Sequence, residues 1–205
     1  MSTSPQLRRS TLATLLAAGA LLLTGCSTTP SDPAGSAETA AGSVLDRYGL
    51  TGMDAREIID HLDTMAVAER PATLLASVQP GELVLTDSAL TNTAGSATET
   101  LPMPAGEFYL SVAPYQDQTH GCTFHSLTTC LGEMAGETLD LTVTDDAGQL
   151  VLDETRTTYD NGFVGLWLPR DLSGTLTLEH EGKTATAPIT TGDNDLTCLT
   201  TTQLT

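Results

Sequence analysis

Two thiols and two imidazoles fall within eleven residues of this chain, His120-Gly121-Cys122-Thr123-Phe124-His125-Ser126-Leu127-Thr128-Thr129-Cys130, although all 205 residues hold only four His and four Cys. Thiolate and imidazole are the donors that low-coordinate Cu(I) and zinc prefer. Spacing constrains how they act together. On a straight strand the α-carbons of Cys122 and Cys130 would stand about 26 Å apart. On a helix they would stand about 12 Å apart, still too far for one coordination sphere. A shared centre requires a bend, for which Gly121 is suitably placed, or the help of Cys198 from the C-terminal strand.

The fourth cysteine has a different setting. Arg8 and Arg9 precede an almost wholly apolar run from Thr11 to Leu23, which ends in Leu23-Thr24-Gly25-Cys26. The run is too short and too rich in small residues for a membrane span and matches the core of an export signal. Residues 1–25 are therefore expected to be a lipoprotein signal peptide, with Cys26 lipidated at the new N-terminus. Each buried methylene of such an anchor contributes about 0.8 kcal/mol of membrane affinity. The expected location is the bacterial cell envelope, on the extracytoplasmic side of a membrane, where thiols meet oxidants.

Three thiols then remain, Cys122, Cys130 and Cys198, and an odd set cannot pair completely within one molecule. Either one stays free, or the set has a use beyond stapling. The plainer alternative is one structural disulfide plus a buried or dimer-forming cysteine, which admits a homodimer. The 26 acidic and 8 basic residues leave a formal net charge of −18. That balance argues against a nucleic-acid partner, since phosphates call for clustered Lys and Arg. It allows metal cations, and it also serves simply as a solubilising surface.

The elements that must position these residues are legible in outline. Ser27 to Gly42 reads as a flexible tether, residues 26–42 of the mature chain. Residues 43–103 read as a helical or mixed region with a polar linker. Ile58, Ile59 and Leu62 recur at helical spacing behind a capping Asp54. Thr73 to Val78 is a helix turn or a strand, Leu83-Val84-Leu85 a strand, and Thr91 to Thr100 a polar loop. Residues 104–205 read as a β-rich domain with strands near Phe108–Val112, Leu139–Val143, Leu150–Thr157, Gly162–Leu168, Thr175–Leu178 and Thr184–Ile189. Short strands divided by turn residues indicate an antiparallel sandwich. The fold class is thus α+β, a small N-terminal helical region followed by an antiparallel β-sandwich-like domain.

The segment Phe108-Tyr109-Leu110-Ser111-Val112-Ala113-Pro114-Tyr115, continuing through Thr119-His120 and Cys122 to Glu133, resembles the CueP family of bacterial envelope copper-binding proteins. The likeness extends through Glu82–Leu85, Thr142–Asp145 and Gly162-Phe163 to Cys198, roughly Leu45 to Thr200. It implies copper resistance and handling, with copper held by Cys122, Cys130 and Cys198 and by His125. Implied partners are copper ions and a copper-accepting envelope protein; a membrane reached through Cys26 is expected from the lipoprotein signal and not from the resemblance.

Such thiols would bind Cu(I), and a thiol pair would also reduce Cu(II), with Cys130 and Cys198 as the exchanging pair and Cys122 as third ligand. Other candidates are weaker. His61 and Met65 share a helix face but read as ordinary surface, Met134 as packing, Met103 as linker and His180 as solvated surface. The competing reading is a non-metal, disulfide-stapled lipoprotein module that binds another protein. No nucleophile elbow supports a hydrolase and no Cys-x-x-Cys supports an ordinary thiol oxidoreductase.

Overall fold

The computed structural model describes residues 42–90 and 97–205. The signal segment, Cys26 and the tether up to residue 41 lie outside the described residues. Helix α1 (Val44–Arg47) is one turn, with a capping box closed by Ser43 and Asp46. Helix α2 (Ala55–Asp63) opens on a second box: Asp54 accepts the Glu57 N–H, and the Glu57 carboxylate accepts the Asp54 N–H, satisfying two donors that a helix start leaves free. Its apolar stripe buries Ile58, Ile59 and Leu62. One turn beyond Ile59 the same stripe carries a carboxylate, Asp63, which is fully buried.

Eleven strands follow α2: β1 (Leu74–Val78), β2 (Glu82–Asp87), β3 (Thr98–Pro102), β4 (Glu107–Tyr115), β5 (His125–Ser126), β6 (Thr138–Asp145), β7 (Leu150–Thr157), β8 (Val164–Pro169), β9 (Ser173–His180), β10 (Lys183–Thr190) and β11 (Cys198–Gln203). They form three sheets, ordered β3-β2-β1-β5, β10-β9-β6-β7 and β11-β4-β8. All pairings are antiparallel except β11 with β4. Few helices followed by mostly antiparallel strands make this an α+β fold with a sandwich-like body.

The three-stranded sheet is the middle layer. Phe108, Leu110 and Val112 of β4, with Val164, Leu166 and Leu168 of β8, pack against Leu139, Leu141 and Val143 of β6 and Leu176 and Leu178 of β9. Side chains alternate across a strand, so Tyr109 and Ala113 leave β4 on its other face. Tyr109 joins the cluster built by α1, α2, β1 and β2, while Ala113 joins Phe163 and Cys198, with Cys122 and Cys130 against them. A strand covered on both faces reads as a nearly continuous apolar run, as Phe108 to Ala113 does. Gly165, paired with Ser111 and lying under the Tyr109 ring, has no alternative: a Cβ there would collide with the tyrosine hydroxyl.

The structure settles one open local reading and corrects two others. Thr73 to Val78 resolves as strand, because Leu74, Ala76 and Val78 alternate into the helix-covered core. The polar stretch taken as a loop to Thr100 supplies instead the edge strand β3, which pairs Thr98–Pro102 with β2; residues 91–96 lie outside the described residues. Met103 packs on the helical cluster rather than serving as linker.

Candidate metal centre

The three thiols arrive from three directions. Cys198 opens β11, and its neighbour Thr197 acts as a clamp. The Thr197 hydroxyl donates to the Val78 carbonyl (2.5 Å) and accepts the His125 N–H (3.1 Å), while its backbone N–H donates to the Thr123 carbonyl (3.2 Å). The loop before β5 is thereby held beside the start of β11. After β5 the chain folds into a tight turn in which the Cys130 N–H donates to the Ser126 carbonyl (3.1 Å). That turn brings Cys130 back to Cys122, with the two sulfurs 3.8 Å apart. Gly121 keeps an ordinary backbone conformation, since it is not among the residues of positive φ. The bend comes from the turn after β5 and the Thr197 clamp, not from the glycine.

Cys122 is disulfide-bonded to Cys198, with α-carbons 5.6 Å apart, and Cys130 is the free cysteine among the described residues. This differs from the expected pairing of Cys130 with Cys198. Cys198 does meet a cysteine distant in sequence, but the loop rather than the turn presents it. Two donor groups form around Cys130. His125, Cys130 and Cys198 place one ligand atom each within 4.8 Å of one another, and so do His120, Cys122 and Cys130.

His125 is anchored from behind. Its Nε2 lies 2.9 Å from Asp63 Oδ1, so Nδ1 faces the sulfurs, 4.0 Å from Cys198 Sγ. Phe163 packs on the ring at 4.7 Å between centroids. Asp63 also accepts the Tyr109 hydroxyl (2.5 Å) and the Asn161 amide (2.8 Å). Asn161 in turn accepts the Phe163 N–H (2.9 Å), at the turn where Gly162 takes a φ of 78°. Arg70 donates Nη1 to the Cys130 carbonyl (2.9 Å), with its Nε and Nη2 buried and without partners.

The electrostatics follow from this chain of contacts. Burial pushes the Asp63 carboxyl up, but the charge and hydrogen bond of His125, with the bonds from Tyr109 and Asn161, outweigh it and hold the group below the usual carboxylate value. Burial pushes His125 down, and the Asp63 carboxylate more than reverses this, raising it to about 9. Burial pushes the Cys130 thiol up, while the hydrogen bond and charge of His125 and the Ser126 N–H, 3.3 Å from the sulfur, bring it below an ordinary thiol. The free sulfur thus sits beside an imidazole whose charge favours its thiolate form. A metal that takes Nδ1 displaces the proton there.

Comparison with known proteins decides the family. The model of the family described as "Periplasmic copper-binding protein CueP" matches residues 57–203. The chain belongs to the CueP family. A solved structure described as "Crystal Structure of S.CueP" is 38% identical, with 82% of this chain and 98% of that one covered and a TM-score of 0.71. No curated protein matches the chain. Copper is thus the metal of this CueP chain, and the donors fit it: soft sulfur and imidazole ligands converge on a spot with no carboxylate oxygen in either group.

Several members of the CueP centre were not among the sequence candidates. Asp63, Tyr109, Asn161 and Thr197 support the donors, directly or through Asp63, but belong to no motif that marks them. The single available signal was Asp63, a charge one turn after Ile59 in an otherwise apolar stripe. His120 joins the donor groups although only His125 was named as the imidazole ligand. His180, read as solvated surface, is 9% exposed; its Nδ1 lies 2.8 Å from the Thr138 carbonyl and its Nε2 faces Glu137 at 3.6 Å. Met134 is core, and Met65 packs on the helical cluster.

Two pH responses are expected. With Cys122 and Cys198 bonded, alkylation by iodoacetamide should report Cys130 with a midpoint below an ordinary thiol; Asp63→Asn removes the counter-ion of His125 and should raise that midpoint by about one unit. The second response isolates the imidazole by using Cys130→Ser, which removes the thiol's own titration and the part of the His125 shift that the sulfur supplies. Because the Asp63 carboxylate holds the folded pKa of His125 above the unfolded value of 6.5, its stabilisation is complete below that value and is lost as pH rises through the folded value. Urea midpoints that stay flat across this range would contradict the assignment.

Proposed function

We propose that this chain sequesters Cu(I) in the bacterial envelope, with Cys122, Cys130, Cys198 and His125 as ligands, and that Cys122 and Cys198 reduce Cu(II). The carrying observation is the convergence of all three sulfurs around the Nδ1 face of one anchored imidazole. In the oxidised form two sulfurs are bonded to each other and serve poorly as ligands. Two electrons and two protons from an external dithiol open the disulfide and complete the donor set. Conversely, two Cu(II) ions take one electron each as the Cys122 and Cys198 thiolates form their bond, giving two Cu(I) ions and one disulfide. Cys130 keeps its sulfur throughout and remains to hold the cuprous product.

The anchoring reading supports an envelope location from a separate feature, the Arg8–Cys26 segment. No helix among the described residues is long and apolar enough to cross a membrane. A thioether at Cys26 would place the centre near a membrane surface. The acidic balance of the chain would raise the local cation concentration, although it does not select copper. Copper handling and resistance, with delivery to an envelope acceptor, is the function this arrangement supports best.

Reduced protein titrated with Cu(I) against a strong chromogenic chelator should bind one equivalent. Among Cys122→Ser, Cys130→Ser and Cys198→Ser, Cys130→Ser should weaken binding most, by ~tenfold or more, because both donor groups lose a member. Unchanged affinity in all three variants would reject the thiol site. For the anchor, Cys26→Ser should move the protein from the membrane to the soluble fraction of cells; retention in the membrane would reject lipidation at that residue.

A further inference from the structure

The two donor groups around Cys130 are not equivalent. His120 is exposed, and Cys122 and Cys130 are half-buried, whereas His125 and Cys198 are 0% and 1% exposed. A cleft of about 380 Å³, lined by His120, Gly121, Cys122, Thr129, Cys130 and Leu131, opens on the outer group. Solvent reaches Cys122 and Cys130 from that side; Phe163 and the β4–β11 pairing cover Cys198 from the other. The sulfurs of Cys122 and Cys130, 3.8 Å apart, already match the spacing of about 4 Å for two thiolates at about 2.3 Å from one trigonal ion.

We propose that copper is captured at an outer station formed by His120, Cys122 and Cys130 and then passes to an inner station formed by His125, Cys130 and Cys198, with Cys130 bound throughout. This rests on the copper-binding reading and adds a ligand, His120, and a direction of movement. An external dithiol first reduces the Cys122–Cys198 bond and leaves as a disulfide. The transfer itself is ligand exchange without redox change. The bonds from Cu(I) to Cys122 Sγ and His120 break and those to Cys198 Sγ and His125 Nδ1 form; the proton given up by Cys198 is taken up by the released Cys122 thiolate, and the Nδ1 proton of His125 leaves to solvent.

A shared ligand makes the step easy, because Cu(I) never leaves the protein and at least one strong bond persists. The anchoring differs in the direction required. His125 is held by Asp63 within a buried network, so the inner station is preorganised. Among the described residues His120 meets Phe163 edge-on at 6.2 Å without a hydrogen-bonded anchor, and can turn to meet an incoming ion. The outer station is therefore suited to rapid capture and the inner one to retention.

The test measures uptake and affinity separately in the reduced full chain, using Cu(I) presented as its complex with a chromogenic chelator. His120→Gln should slow uptake by ~tenfold while equilibrium affinity falls less than ~threefold; His125→Gln should weaken affinity by ~tenfold and leave the fast phase intact. Cys198→Ser retains the outer group alone, so its copper should be stripped by competing chelator faster than from the wild type, and adding His120→Gln should then lower its affinity by a further ~tenfold. Because His120 is exposed, its replacement leaves the fold in place, and formation of the Cys122–Cys198 bond on reoxidation checks this. Uptake by His120→Gln at the wild-type rate overturns the two-station scheme alone. Equal losses of rate and affinity in that variant also overturn it, since they describe a single site. A wild type that binds no Cu(I) overturns the copper reading and this one together.

Discussion

A buried carboxylate–imidazole pair organises this molecule. Asp63 and His125 are both fully buried, and charges taken out of water are tolerated only when every remaining lone pair and proton is satisfied. The need for partners draws distant segments to one point: Asp63 from the end of α2, Tyr109 from β4, Asn161 from the turn before β8 and His125 from the short strand β5. Removing one partner would leave an uncompensated charge in the interior, which costs more than an exposed pair ever contributes. The same bond selects the ring orientation. With Nε2 committed to Asp63, the only nitrogen left for the sulfurs is Nδ1.

From that pair the chemistry of the centre follows. The imidazole's positive charge lowers the free thiol, and the thiol lies within reach of a disulfide whose two sulfurs complete alternative donor groups. In the proposed function a soft metal and a redox couple share the same atoms. Binding strength depends on oxidation state, because a disulfide sulfur is a poor ligand and a thiolate a strong one. The sandwich contributes rigidity. With its β4 strand buried on both faces, movement of Tyr109 or Ala113 would disturb the core behind them, so the site is supported by close packing rather than by loops alone.

The fold was legible where periodicity is strong and local. The alternation along β6, β9 and β10, the turn residues between them and the capped apolar stripe of α2 all derive from short-range preferences that each segment carries in itself. Thr98 to Pro102 escaped notice because polar, small residues suit an exposed edge strand as well as a loop, and only pairing to β2 distinguishes the two. His180 was misjudged for a similar reason. Flanking glutamates suggest solvent, yet a strand turns alternate residues inward, and its ring finds the Thr138 carbonyl there.

By itself the sequence determined which donor types are present, that three thiols lie beyond the Arg8–Cys26 segment, and that one dense cluster of Cys and His marks the chemistry. Residue type sets donor softness, so the kind of metal was readable before any coordinate. Which cysteine faces which and that Asp63 stands behind His125 were decided by tertiary structure alone. Those relations join residues 62, 73 and 76 positions apart, and contact at such separations is set by how sheets and loops pack, which no local pattern encodes.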